Sequence, residues 1–157
     1  MLTIIVAMDA NGLIGSHGVM PWSIKEDLQF FKETTLHKKL LVGHTTLKKL
    51  PKLSDRFIYG VSSKPIPNYQ QKEVCWVSDP IAFMKQNQKI EEEIFVAGGS
   101  KIYELSLPYI DRLLITRIQE SYQGDTYFPE VDFNQFELVK TIKLSDRATV
   151  YDYRKKD

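Results

Sequence analysis

The run LTIIVAM, Leu2 to Met8, sets the first limit on what this chain can become. It is apolar on both faces, so as a strand it must be covered on both sides. A sheet open to water on one side would show alternation instead. A membrane helix needs about 20 apolar residues, and this run soon meets Asp9 and Asn11. It also lacks the positive n-region of a signal peptide. A buried first strand remains, in a sheet with helices on both faces.

The rest of the chain fits that start. Strand-like segments at 40–43, 56–62, 73–77, 94–97 and 112–118 alternate with helix-like segments at 24–35, 45–50, 80–88 and 101–107. Ser23 and Glu26 have the spacing of a capping box for the first helix, Asp79 suits an N-cap, and Pro51 ends the second helix. Residues 9–19 and 64–72 read as loops, and Gly60 as a weak point inside its strand. The end of the chain reads as two strands around Ser145 and Asp146. The pattern predicts an α/β fold of three layers. A mostly parallel central sheet carries helices on both faces and an antiparallel C-terminal strand pair. At 157 residues with no linker, one domain over 1–157 is expected.

Bulk chemistry removes several functions. The formal net charge is +1, without the basic excess of a general nucleic-acid binder. One cysteine, Cys75, permits no internal disulfide and suits a reducing cytoplasm; within EVCWV it reads as a small core residue. His17, His37 and His44 show no zinc-ligand spacing. P-loop, G-x-G-x-x-G and G-x-S-x-G motifs are all absent.

Three strand ends carry features suited to anions. One strand runs into Gly43, His44, Thr45 and Thr46, another into Gly98, Gly99 and Ser100, and each is followed by a helix. Glycine lets a ligand approach the backbone, and a helix start offers unpaired N–H groups. Either turn alone reads as a tight turn capped by Thr45 or Ser100. Two in one small sheet point to a ligand with two phosphates. Ser62, Ser63 and Lys64 follow a third strand.

Asp27 is the acid out of place. In the first helix Ile24, Leu28 and Phe31 form an apolar stripe, with Thr35 a turn further, and Asp27 lies on its edge. Acids are common in a first helical turn, where they complement the dipole. A half-buried carboxylate is also suited to holding a proton near neutrality and to pairing with an amidine-like edge.

In order along the chain stand NGLIG (Asn11 to Gly15), MPW (Met20 to Trp22), Glu26-Asp27 with Phe31 and Thr35, VG-x-x-T (Val42 to Thr46), Ser62-Ser63, VAGGSKIY (Val96 to Tyr103), ITRI (Ile115 to Ile118) and GDTYFP (Gly124 to Pro129). The ordered set resembles dihydrofolate reductase of the short, single-domain bacterial type, over essentially the whole chain. The resemblance implies NADPH-dependent reduction of 7,8-dihydrofolate to tetrahydrofolate in support of one-carbon metabolism. It implies hydride transfer to pterin C6 with protonation at N5. It also implies a cytoplasmic monomer that binds antifolates, with no metal and no nucleic-acid or membrane partner.

By the same resemblance Asp27 would bind the pterin edge, Thr116 would hydrogen-bond Asp27, and Trp22 would hold a water nearby. Ile5, Ala7, Leu28, Phe31, Leu50 and Ala97 would line the substrate, and Arg56 would grip its glutamate tail. The cofactor would meet Ala7, Ile14, Gly15, Met20, Gly43, His44, Thr45, Thr46, Ser62, Ser63, Lys64, Ala97, Gly98, Gly99, Ser100, Lys101, Ile102, Tyr103 and Thr126. The peptide between Gly98 and Gly99 would be cis, and the loop from Asp9 to about Ser23 would match the family's lid over nicotinamide.

Some residues depart from the pattern. His44 stands where an arginine usually meets the 2′-phosphate, a departure that bears on the NADPH preference. Lys64 and Lys101 are candidates to compensate. Lys25 replaces a frequent proline, Leu47 a common aromatic, and Ala97 a bulkier residue. The segment from Pro51 to Arg56 is short. Two rival readings are a riboflavin-pathway type of reductase and a nucleotide-binding module without turnover. MPW with Glu26-Asp27 argues against the first, and a buried acid against the second.

Overall fold

Strand β1 (Leu2–Met8) lies inside an eight-stranded sheet, buried at every position except half-buried Ala7. The computed structural model describes residues 1–15, 20–50, 54–64 and 74–157. Expectations for His17, for Pro51 and for the loop beyond Lys64 lie outside these residues.

After β1 come β2 (Leu13–Gly15), α1 (Lys25–Thr35), β3 (Lys39–Gly43), α2 (His44–Leu47), β4 (Phe57–Val61) and β5 (Val74–Val77). Then follow α3 (Pro80–Asn87), β6 (Ile94–Val96), α4 (Ser100–Ser106), β7 (Arg112–Ile118), β8 (Thr126–Tyr127), β9 (Phe136–Lys143) and β10 (Ala148–Lys155). The sheet order is β5-β4-β3-β6-β1-β7-β10-β9. Strands β5 to β7 in that order run parallel, and β10 is antiparallel to both β7 and β9. The three-layer expectation holds. One face packs Ile4, Val6 and Leu41 against Met84 of α3 and Ile102 and Tyr103 of α4. The other packs Ile5, Leu40 and Val42 against Leu47 of α2 and Phe30 and Phe31 of α1. Neighbouring residues of β1 thus serve opposite cores, which explains its apolar run.

Several details differ from the sequence reading. The Ser23 capping box does not form. The N-cap is Ile24, in extended conformation with no side-chain cap. Trp22 and Ile24 are drawn into a cluster with Ile118 and Ala148. That packing keeps the chain extended through Ile24, and the helix starts after it. Leu28 is 45% exposed, whereas Asp27 is buried, so the buried side of α1 is rotated towards the acid. Helix α2 is shorter than expected, and turns continue it as far as Leu50. Cys75 is exposed, because β5 is the last strand of the sheet. The expected loop after Asp9 contains β2, which pairs with β8. Asp79 does cap α3, accepting from the Ala82 N–H at 3.1 Å. Gly60 has a packing reason, since a Cβ there would lie 2.6 Å from the Trp76 ring.

Candidate active site

Strands β3 and β6 are neighbours, yet the helices that follow them leave to opposite faces. A crevice opens beyond the carboxyl ends of strands at such a point. The glycine turns meet there. The Gly43 N–H donates to Gly98 O at 2.8 Å, and a Cβ on Gly99 would stand 2.8 Å from Thr46 Oγ1. The Gly98–Gly99 peptide is cis, as the resemblance implied. Neither Thr45 nor Ser100 acts as the cap. The N-caps of α2 and α4 are Gly43 and Gly99, with no side-chain cap bond. Helix α3 carries its own aspartate cap. The first-turn N–H groups of α2 and α4 are thus left for something other than their own side chains, as a diphosphate cradle requires.

At the outer rim, the His44 Nδ1–H donates to Val61 O at 3.0 Å. A carbonyl only accepts, so Nδ1 carries the proton and Nε2 is the ring nitrogen left for a ligand. Ser62 is half-buried beside this group, and Ser63, Lys64 and Lys101 are exposed.

Across β1, α1 brings Asp27 over the sheet. The carboxyl is 8% exposed, beside Trp22 at 6% and Thr116 at 3%. Thr116 is in register with Ala7 on the neighbouring strand. Burial pushes the Asp27 carboxyl above the usual carboxylate range, and the nearby Trp22 indole N–H, short of hydrogen-bond geometry, and the Thr116 hydroxyl favour the charged form and offset part of the rise. Trp22 Nε1 is buried without a hydrogen-bond partner among the described residues. A buried indole N–H in that condition suits a site that expects a water or ligand.

Tyr103 joins the two halves. Its hydroxyl donates to Ile5 O at 2.8 Å, and its ring stands 3.5 Å from where a Gly98 Cβ would be. Burial, with a smaller contribution from negative Asp27, pushes its phenol far above the usual range. Phe31, Leu50 and Ala97 are half-buried against the same core cluster, with Leu28 exposed on α1. Arg56 reaches the end of α1, donating through Nε to Thr35 Oγ1 at 3.2 Å, through Nη1 to Ser54 O at 2.6 Å and through Nη2 to Lys32 O. A guanidinium has five N–H donors, so each Nη keeps one for a carboxylate. Ile14 is half-buried and Gly15 buried in β2, Thr126 faces Gly15 across the β2–β8 pair, and Met20 is half exposed.

A second cavity, of about 410 Å³, lies at the opposite end of the sheet between Met1, Lys39, Phe57 and Glu92. Lys39 and Glu92 pair there at 3.1 Å, and among the described residues no glycine turn or buried acid lines it. The strand-end crevice is the better candidate.

Sequence reasoning missed Asp9 and Tyr122. Asp9 is wholly buried. The Tyr122 ring lies 5.7 Å from the Trp22 ring. The turn residues after Asp9 signal a bend but not burial, and nothing in the sequence links Tyr122 to Trp22.

Comparison with known proteins shows the family. A family model described as dihydrofolate reductase matches residues 1–156. The dihydrofolate reductase of Mycoplasma genitalium is 35% identical over 160 residues, covering 99% of each chain. That of Bacillus subtilis is 34% identical, covering 98% of this chain and 90% of its own. A solved Enterococcus faecalis dihydrofolate reductase, complexed with NADP(H) and RAB-propyl, superposes with a TM-score of 0.85 at 33% identity. It covers 100% of this chain and 97% of its own.

Proposed function

Because the chain belongs to the dihydrofolate reductase family, we propose that it reduces 7,8-dihydrofolate to 5,6,7,8-tetrahydrofolate in the crevice beside Asp27, with NADPH as reductant. The observation that carries this reading is a buried Asp27 carboxyl at the same end of the sheet as two glycine turns without side-chain caps. NADPH supplies a hydride when bound, and that hydride is added at pterin C6 while a proton is added at N5.

The chain's own residues bind, orient and set charge. Asp27 accepts hydrogen bonds from the pterin 2-amino group and ring N3, a bidentate match for a carboxylate. Thr116 fixes one carboxylate oxygen. Trp22 Nε1 holds the water that N5 draws its proton from. The negative Asp27 raises proton affinity on the bound pterin, and no side chain acts as a nucleophile. Rate then comes from positioning and from one preorganised charge. Ile5, Ala7, Leu28, Phe31, Leu50 and Ala97 line the substrate, and Arg56 offers its two remaining N–H donors to the glutamate α-carboxylate.

The cofactor's residues follow the crevice. Gly43, Thr45, Thr46 and Gly98 to Tyr103 receive the diphosphate, with His44, Ser62, Ser63 and Lys64 at the adenosine phosphate. Ala7, Ile14, Gly15, Met20, Ala97 and Thr126 bound the nicotinamide end. The product would feed one-carbon metabolism, and antifolates would compete at Asp27. The test is NADPH absorbance with and without dihydrofolate. The expected result is substrate-dependent oxidation; a folded protein showing none removes the reading.

A further inference from the structure

Asp9 ends the first strand as a fully buried carboxylate, and the mechanism above does not use it. Its two oxygens divide their work. Oδ1 accepts the N–H of Asn11 at 2.8 Å and of Leu13 at 2.9 Å, both in its own segment. Oδ2 accepts the N–H of Tyr122 at 2.8 Å, from a segment far along the chain. A hydroxyl or a single carbonyl could close the first turn. Reaching both segments takes two strong acceptors on one side chain.

The segment that Asp9 grips leads to the site. The Tyr122 ring packs on Trp22 at 5.7 Å between centroids. The far end of the same ring is also held. Its hydroxyl donates to Glu120 Oε2 at 2.9 Å and accepts from Arg147 Nη2 at 3.1 Å, and Arg147 pairs with Glu120. On the other side, Leu13 starts β2, which carries Ile14 and Gly15. The Asp125 N–H donates to Gly15 O at 3.2 Å, and the Phe128 N–H to Gly12 O at 2.9 Å.

We propose that Asp9 is a positioning residue for hydride transfer: it binds the Leu13–Gly15 strand to Tyr122 and, through the Tyr122 ring, fixes Trp22 beside Asp27. The proposal rests on the reductase reading. It predicts that loosening Asp9 misplaces the reacting groups without removing any of them.

The test uses Asp9→Asn, which keeps the size but points an N–H₂ group at one of the backbone donors. In the unliganded protein, amide hydrogen exchange at Tyr122 is expected to speed up by about tenfold or more, above the change at Leu113 in the central sheet. In single-turnover measurements with protiated and deuterated NADPH, hydride transfer is expected to slow by about ten- to a hundredfold. The isotope effect on steady-state turnover should rise as that step becomes limiting. Asp152→Asn, which loosens Arg112 at the opposite end of β7, is the control for lost stability; it should leave the isotope effect unchanged. Should Asp9→Asn fail to fold, Tyr122→Leu keeps the N–H on Asp9 but removes the ring from Trp22, and it should reproduce part of the slowing. Asp9→Asn with wild-type Tyr122 exchange or a wild-type hydride step overturns the proposal, as does full-speed hydride transfer in Tyr122→Leu. Wild-type protein that oxidises no NADPH with dihydrofolate would instead overturn the reductase reading, and the proposal with it.

Discussion

Burial of the Asp27 carboxyl makes its charged form costly to the folded protein. The carboxyl is held above the usual range, first by burial. The folded protein therefore grips that proton more tightly than the unfolded chain does. By linkage, the residue's contribution is complete below the ordinary carboxylate value and is lost as pH rises through the raised one. Asparagine carries no such penalty. Asp27→Asn should therefore raise the thermal midpoint at neutral pH, and the gap should close in acid. Dihydrofolate reduction at neutral pH should meanwhile fall by about 100- to 1,000-fold. Thermal melts at several pH values and the absorbance assay check both halves; near wild-type turnover at neutral pH would end the role assigned to Asp27. His44 offers a second residue test. Its Nδ1 is committed to Val61 O, so one nitrogen at most faces a phosphate. Arginine offers a permanent charge and a fork of donors. His44→Arg should raise the preference for NADPH over NADH by roughly fivefold, read from the ratio of kcat/KM values.

The glycine turns act at the scale of elements, because each takes its shape from the other. Gly43 is bonded to Gly98, and Gly99 is closed by Thr46. Alanine at Gly99 would set a Cβ 2.8 Å from Thr46 Oγ1, so one turn must move. Gly99→Ala should destabilise by about 1–3 kcal/mol in urea melts, as overpacking does. Thr46→Ala in the same chain should recover at least about 0.5 kcal/mol of that, a coupling that distant sites would not show. Strict additivity would mean that Thr46 does not resist a Cβ at Gly99. These elements also show what could be read beforehand. The glycines, the strand before each and the helix after each were legible, because they follow from local chemistry. The helix caps were not. Ser23 has the right spacing, but Trp22 and Ile24 find partners on β7 and β10, and that burial outweighs one capping bond. Leu28, on the apolar stripe by periodicity, is exposed while Asp27 is buried. Periodicity fixes which residues share a face of α1, but not how that face is turned against the sheet.

The whole molecule separates chemistry from anchorage along the strand direction. At the carboxyl ends lie the glycine turns, Asp27 and Thr116. At the other end, Arg112 at the start of β7 forks onto Asp152 of β10, with Nε to Oδ1 at 3.0 Å and Nη2 to Oδ2 at 2.9 Å. Its Nη1 reaches Glu93 at 2.9 Å, and Thr3 of β1 donates to the same Glu93 carboxylate. One guanidinium thus ties β10 and β7 to the segment before β6, at a point where the Asp152 side chain is 4% exposed. Removing one partner of a buried pair is costly, but Glu93 stays bonded to Arg112 and limits the loss. Asp152→Asn keeps the shape and one acceptor, so the loss should be about 1–3 kcal/mol in urea melts. The site lies beyond the far ends of the same strands, and no side chain of this cluster reaches it among the described residues. At a temperature where both proteins are folded, kcat and the KM for dihydrofolate should therefore stay within about twofold of wild type. A variant that loses stability and also shifts KM would show that the two ends of the sheet are mechanically coupled.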